Sequence, residues 1–308
     1  MATNITTSYS GEFKDKYVSA ALLSGTTLAN GGVTIMPNIA YKEVLQKVAS
    51  DSNFIKNASC DYSDSGTLTL TERVLEVEEF QINKTECKKN FSQAWQSAQM
   101  GYSVPNEVLP KNLADFIVQH YVAKIAASRE HTIWQGANAN AGEFDGFTAL
   151  FGAGGSGVVS VTGTTVSAAN VVAELGKVVD AIPHPVLYKE DLKIYVSNHI
   201  YSMYLRSLGG FGASGLGAAG YDNKGNNQAF NSLMFDGIEI FRASGLPSND
   251  MVAAQSSNLY YGCGIQGDFS DIRLIDTADT LGDQNVRFVA RWKDGVQFGI
   301  GEEIVYYT

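Results

Sequence analysis

The sequence predicts an α+β fold, and three observations carry the prediction. One helix of unusual length runs through the middle of the 308-residue chain. A stretch of strict apolar–polar alternation precedes it. A helix–strand–helix block and then a series of short strands follow it.

The helix spans Asn106 to Gly136. Pro110 suits a first helical position, where its missing N–H would be unpaired anyway. Leu109, Leu113, Phe116, Ile117, Tyr121 and Ile125 recur at the spacing of one helical face. Gly136 is a natural stop. From Pro110 to Gln135, at 1.5 Å per residue, the element is roughly 39 Å long. Charge along it is sparse, and Val118 and Val122 fall off the main stripe, so more than one face is expected to be covered. Such a helix in a chain of strands and loops is a strut.

Residues 1–36 are polar and rich in Gly, Ser, Thr and Asn, with one amphipathic piece from Phe13 to Leu23. They read either as a loose terminus or as an arm ordered by a neighbour. Pro37 to Ser50 predicts a short helix with Tyr41, Val44, Leu45 and Val48 as its stripe. Thr67–Thr71 and Val74–Ile82 alternate and predict a β-ribbon. A two-stranded ribbon is marginal alone. With no matching strand pattern elsewhere in the chain, another subunit is its expected partner. Ala137 to Gly157 reads as a glycine-rich loop. Ser167 is expected to cap a helix whose face carries Val171, Val172, Leu175, Val178, Val179 and Ile182. Leu192–Val196 is a strand, and Asn198 is expected to cap a second helix. Strands follow at Gly237–Arg242, Asn258–Cys263, Ile272–Ile275 and Val286–Trp292. Asp294-Gly295 predicts a hairpin turn before Val296, Phe298 and Ile300, and the chain ends on Ile304–Tyr307.

Hydrophobic residues make up 44% of the chain and charged residues 18%, with 31 glycines, 15 Tyr and 15 Phe. Low charge with abundant aromatics suits a surface largely covered by other subunits. The net charge of −10 argues against gripping nucleic acid through its phosphates, although not against surrounding it. Cys60, Cys87 and Cys263 are far apart and read as reduced thiols in a cytosolic setting. The N-terminus shows no secretory pattern, and no apolar run reaches membrane-spanning length.

The chemical motifs are weak. Gly215-Leu-Gly217-Ala-Ala-Gly220 matches GxGxxG, but it lacks the preceding strand and following helix that bring a pyrophosphate to a helix N-terminus. Asp61 to Glu72 echoes a calcium loop with Ser63 and Ser65 at ligand positions, and reads better as a turn entering the ribbon. His120, His131, His184 and His199 have no ligand spacing. No catalytic residue, metal ligand or cofactor site is predicted. The ribbon region gathers Glu72, Glu76, Glu78, Glu79 and Glu86 with Lys84, Lys88 and Lys89. These form either a solvated surface or ion pairs between subunits.

The order of arm, ribbon, strut, compact lobe and closing strands resembles the major capsid protein of tailed phages, the Hong Kong phage-type fold shared with encapsulins. The likeness is carried by IMPNIAYKEVLQKVASDSNFIKNA (Ile35 to Ala58), by the helix exit AASREHTIWQGANANAGEFDGF (Ala126 to Phe147), by VSAANVVAELGKVVDAIP and LKIYVSNHIYSMYLRSL, and by FDGIEIFRASGLPSND, GDFSDIRLID and ARWKDGVQFGIGEEIVYY. It spans nearly the whole chain, as an ordered set rather than a single diagnostic motif.

The resemblance implies an N-terminal arm over residues 1–36 and an E-loop over 61–100. It implies a P-domain over 37–60, 101–163 and 255–308, with its spine helix at about 108–135, and an A-domain over 164–254. It implies a non-enzymatic shell protein of a bacteriophage head, assembled in the host cytoplasm into hexamers and pentamers. The shell would enclose double-stranded DNA without sequence-specific binding or membrane contact, with portal and decoration proteins as further partners. Family members that begin with a cleaved helical scaffold differ from this chain. Either scaffolding is a separate protein or the chain as read is the whole product. Arg73, Glu76, Glu78, Lys84, Lys88, Lys89 and Trp95 are the expected subunit-interface residues, and Phe116, Ile117 and Tyr121 are expected to pack on the closing strands. Lys84, Lys88 and Lys89 lie where some relatives cross-link, but no partner Asn or acid can be matched. The rival readings are an encapsulin-like nanocompartment, a soluble enzyme using a Gly-rich loop, and a tail or adhesion protein.

Overall fold

The computed structural model describes residues 26–50, 55–58, 60, 67–87, 111–208, 233–264, 273–277, 282–283 and 285–308. Its elements run α1 (Thr26–Ala29), β1 (Thr34–Met36), β2 (Lys42–Ser50), β3 (Leu68–Glu76), β4 (Glu78–Cys87), α2 (Lys111–Gln135), α3 (Phe147–Gly152), β5 (Val159–Val161) and α4 (Val171–Asp180). They continue with β6 (Leu192–Val196), α5 (Asn198–Ser207), β7 (Met234–Phe235), β8 (Ile238–Arg242), β9 (Met251–Gln255), β10 (Leu259–Cys263), β11 (Arg273–Asp276), β12 (Asn285–Phe298) and β13 (Val305–Tyr307). This is the α+β mixture the sequence predicts.

The strut is α2, 25 residues and therefore about 37 Å long. It stops where the backbone must come close. The Gly136 N–H donates to Thr132 O at 3.0 Å, and a Cβ on Gly136 would overlap Thr132 O and Phe144 O. One side of the strut packs on the strands that close the chain. Val118, Val122 and Ile125 are buried with Leu274, Val286, Phe288 and Ala290, and the Tyr121 ring lies 4.7 Å from that of Phe288. Val118 and Val122, read as off the stripe, are thus central to this contact. Tyr121 packs as expected, while the side chains of Phe116 and Ile117 fall outside the described residues.

The strands form three sheets. A five-stranded sheet runs β1-β10-β12-β11, with β4 also paired to β12. A six-stranded sheet runs β5-β13-β9-β6-β8-β7, and β2-β3 form a separate ribbon. On the six-stranded sheet, α4 and α5 complete the lobe around Val171, Leu175, Val178, Ile194, Ile200 and Ile240. Val172 leaves the expected face and is 51% exposed. The caps also shift by a few residues. Asn170 precedes α4, and the Ser197 hydroxyl, not Asn198, accepts the Ile200 N–H at 3.3 Å.

Three larger expectations are corrected. Pro37–Ser50 forms no helix: β2 pairs antiparallel with β3 from Lys42↔Glu76 to Ser50↔Leu68. The alternating strands therefore find partners inside their own chain, β3 on β2 and β4 along ten residues of β12. Asp294-Gly295 is no turn, because β12 runs straight through it. Gly262 pairs with Gly295, and a Cβ on Gly295 would overlap the Glu76 carbonyl oxygen. Here the glycine permits a close crossing of strands instead of a reversal.

Candidate subunit-contact surface

The β2–β3 ribbon has two unlike faces, because successive side chains alternate. One face carries the cross-strand pairs Val44–Val74 and Val48–Leu70, with Leu68 at its end. These side chains are 48%, 40%, 61%, 63% and 63% exposed in that order. A strip of aliphatic side chains on a marginal two-stranded element is a surface awaiting a cover.

The other face is anchored to the ribbon's own subunit. Leu75 is fully buried with Ile39 and Val77. The Arg73 guanidinium lies 4.0 Å over the Phe298 ring and donates to Ser156 O at 2.5 Å. Burial draws that guanidinium below its ordinary value, and it remains charged. Lys47 pairs with Glu302 at 3.1 Å, and Gln297 Nε2 donates to Val74 O at 3.0 Å.

The structure does not gather the expected interface residues into one cluster. Arg73 is spent within its own chain. Glu76 pairs across the ribbon with Lys42 at 2.9 Å, a hydrogen bond that lowers the Glu76 carboxyl and raises the Lys42 amine. Glu78 is half-buried, and its carboxyl is raised by burial and then by the nearby charges of Asp145 and Glu76. Lys84 is exposed on β4. Lys88, Lys89 and Trp95 lie outside the described residues. The aliphatic strip was missed, although Leu68 and Leu70 stood in the alternating TLTLT. Its other half, Val44 and Val48, was read at helical spacing.

A cavity of about 300 Å³ opens between α2, β4 and β12, lined by Phe80, Ile82, Tyr121, Ile125, Phe144 and Trp292. Of the three charged residues in its wall, Arg129 and Asp294 pair with each other and Lys124 is exposed to solvent. It is therefore an apolar hollow without convergent reactive groups. Among the described residues, no three His, Cys, Asp or Glu side chains are grouped to hold a metal, and no helix is long and apolar enough to cross a membrane.

No family model matches the sequence, and no curated protein matches it by sequence. The structure nevertheless superposes on solved structures across almost its whole length. Against the capsid of a native GTA particle computed with C5 symmetry, the TM-score is 0.58 at 10% identity, covering 100% of this chain and 94% of that one. Against Mycobacterium phage Cain it is 0.57 at 14% identity, covering 97% and 94%. Against a virus-like particle from Pyrococcus furiosus it is 0.52 at 10% identity, covering 97% and 100%. The likeness extends over nearly the full length of each chain, and this chain has the Hong Kong phage-type capsid fold.

Proposed function

We propose that this chain is the major capsid protein of a tailed bacteriophage, a structural protein rather than an enzyme. Copies assemble through hexamers and pentamers into an icosahedral shell around double-stranded DNA, in the cytoplasm of the host. The observation that carries this reading is the ribbon: it is bolted to its own subunit by one face and leaves an aliphatic strip uncovered on the other. A strip of that kind fits a neighbouring copy of the same chain.

In this reading β2–β3 takes the E-loop role, in place of residues 61–100, because β4 belongs to the five-stranded sheet. The lobe of residues 164–254 is the A-domain, meeting its copies at the capsomer axis. The strut and the sheet around β12 form the P-domain. The net charge of −10 suits an inner wall that leaves packaged DNA free to slide. A separate scaffold, a portal and decoration proteins are the proposed partners.

Because the Pyrococcus furiosus particle shares the fold, an encapsulin-like compartment is the second reading. Terminase and portal genes beside this one, or a cargo-enzyme gene, separate the two. Negative-stain microscopy of the protein expressed alone and with a candidate scaffold tests the shell reading itself. Closed shells, tubes or hexameric sheets are expected. A monodisperse monomer under all these conditions would refute it.

A further inference from the structure

Residues 26–33 occupy the seam between the strut and the lobe, and they bond to both. Thr26 Oγ1 donates to Glu130 Oε1 on the strut at 2.8 Å and accepts the Ser244 N–H, just beyond β8, at 3.2 Å. Thr27 Oγ1 donates to the same Glu130 oxygen at 2.6 Å and accepts from Trp134 Nε1 at 2.8 Å. The Thr27 N–H donates to Glu130 Oε2 at 3.1 Å. One buried carboxylate on the strut therefore holds three donors from two consecutive residues, and bonds to a charged acceptor are about twice as strong as neutral ones.

A few residues later the segment is gripped by the lobe. The Tyr195 hydroxyl of β6 donates to Gly32 O, and Lys193 Nζ reaches Gly31 O at 3.5 Å. A Cβ on Gly32 would lie 2.8 Å from Phe241 Cζ and 3.0 Å from Thr27 O, so only glycine passes here. Leu28 and Val33 are buried in one core with Ile133 and Trp134 of the strut and Tyr195 and Phe241 of the lobe. The chain then enters β1, which pairs with β10. Residues 26–36 thus touch the strut, the lobe and the five-stranded sheet in turn.

We propose that residues 26–33 are a strap that sets the angle between lobe and strut, with Glu130 as its latch. The second half of the proposal rests on the shell reading. Lobe angle decides how neighbouring copies tilt, so the strap couples the placement of the N-terminal segment to shell curvature. Glu130 is a positioning residue. It acts through Thr26 and Thr27.

The test compares wild type with Glu130→Gln, Thr27→Val and the milder Thr26→Ala, which removes only the Glu130–Ser244 bridge. Hydrogen exchange on the unassembled chain is the first readout. Exchange at Gly32 and Ser244 is expected to rise roughly tenfold to a hundredfold in Glu130→Gln, the range for losing a bond to a buried charge. The amides of β9 are expected to hold. The second readout is particle diameter by cryo-electron microscopy, where the variants are expected to give a broader or shifted distribution. Unchanged exchange in all three variants overturns the latch. Faster exchange with wild-type diameters overturns the link to curvature. Failure of wild type itself to form particles counts against the shell reading alone, since the exchange readout still decides the latch. If Glu130→Gln does not fold, Thr26→Ala decides both arms.

Discussion

Arg129 and Asp294, 165 positions apart, form a buried ion pair that joins the strut to β12. Asp294 is 1% exposed, and Arg129 Nε sits 2.7 Å from its Oδ2. That N–H is not aligned on the oxygen, so the close contact is Coulombic. The hydrogen bonds to the carboxylate come from Arg129 Nη2 at 3.1 Å and the Tyr261 hydroxyl at 2.5 Å. Burial pushes the Asp294 carboxyl upward and the guanidinium opposes it, while Asp294 in turn keeps Arg129 protonated.

Removing one partner strands the other charge in the core. Asp294→Ala is expected to destabilise the subunit by about 3–5 kcal/mol. Urea or guanidinium unfolding of the unassembled protein measures this. Replacing both residues with aliphatic side chains is expected to cost less than Asp294→Ala alone, because no charge is left unpaired.

Gly295→Ala and Gly262→Ala separate two kinds of crowding in facing positions. A Cβ on Gly295 meets the Glu76 backbone, which can yield only if β3 and β12 part. On Gly262 it meets Ile39 Cδ1 at 2.9 Å and Leu75 Cδ2 at 3.0 Å, both side-chain ends. Gly262→Ala is expected to cost about 1–3 kcal/mol and Gly295→Ala more. Equal melting temperatures for the two variants would contradict the crossing described at Gly295.

The same glycine shows what the sequence reveals and what it hides. Two Asp-Gly pairs occur among the β-strands. Asp236-Gly237 is a true turn between β7 and β8, with both φ values positive at 49° and 79°. Asp294-Gly295 is mid-strand, its Asp held by a residue on the strut that no local pattern indicates. Val44 and Val48 share a face in a helix and in a strand alike, so their spacing could not settle which one Pro37–Ser50 forms. The β9 stretch MVAAQ is buried on both faces and shows no alternation to read. The strut was legible because its period persists for several turns. Of the candidate surface, the charges stood out in the sequence, whereas the aliphatic strip appeared only once β2 and β3 were paired.

The strip makes its own prediction. Val48→Glu with Leu70→Glu changes exposed side chains, so unfolding of the isolated subunit is expected to move by no more than about 0.5 kcal/mol per substitution. Assembly into shells or sheets, followed by light scattering, is expected to be lost. Normal particles from the double variant would show that the strip faces solvent.

Glu174 gives the lobe a defined acid response. Its carboxylate is held below the usual range chiefly by Lys177, at 2.8 Å, and then by hydrogen bonds from Tyr307 and Thr164. A depressed carboxyl contributes stability that is fully present above the unfolded value of about 4.3 and is lost as pH falls through the folded value. Glu174→Gln is therefore expected to be less stable than wild type at neutral pH and to converge with it in acid. Denaturation midpoints measured from about pH 7 down to about pH 3 test this. A constant gap between the two curves would contradict it.

Strand β13 lies between β5 and β9 in the six-stranded sheet, pairing Val305 with Val159 on one side and Ala253 on the other. Without it, β5 and β9 would face each other across a gap of about 10 Å, two strand spacings. During synthesis the sheet thus stays open until residue 307 has left the ribosome. The lobe's sheet waits on three residues that follow every other strand of it in the chain. A chain interrupted before that point leaves one edge each of β5 and β9 unpaired.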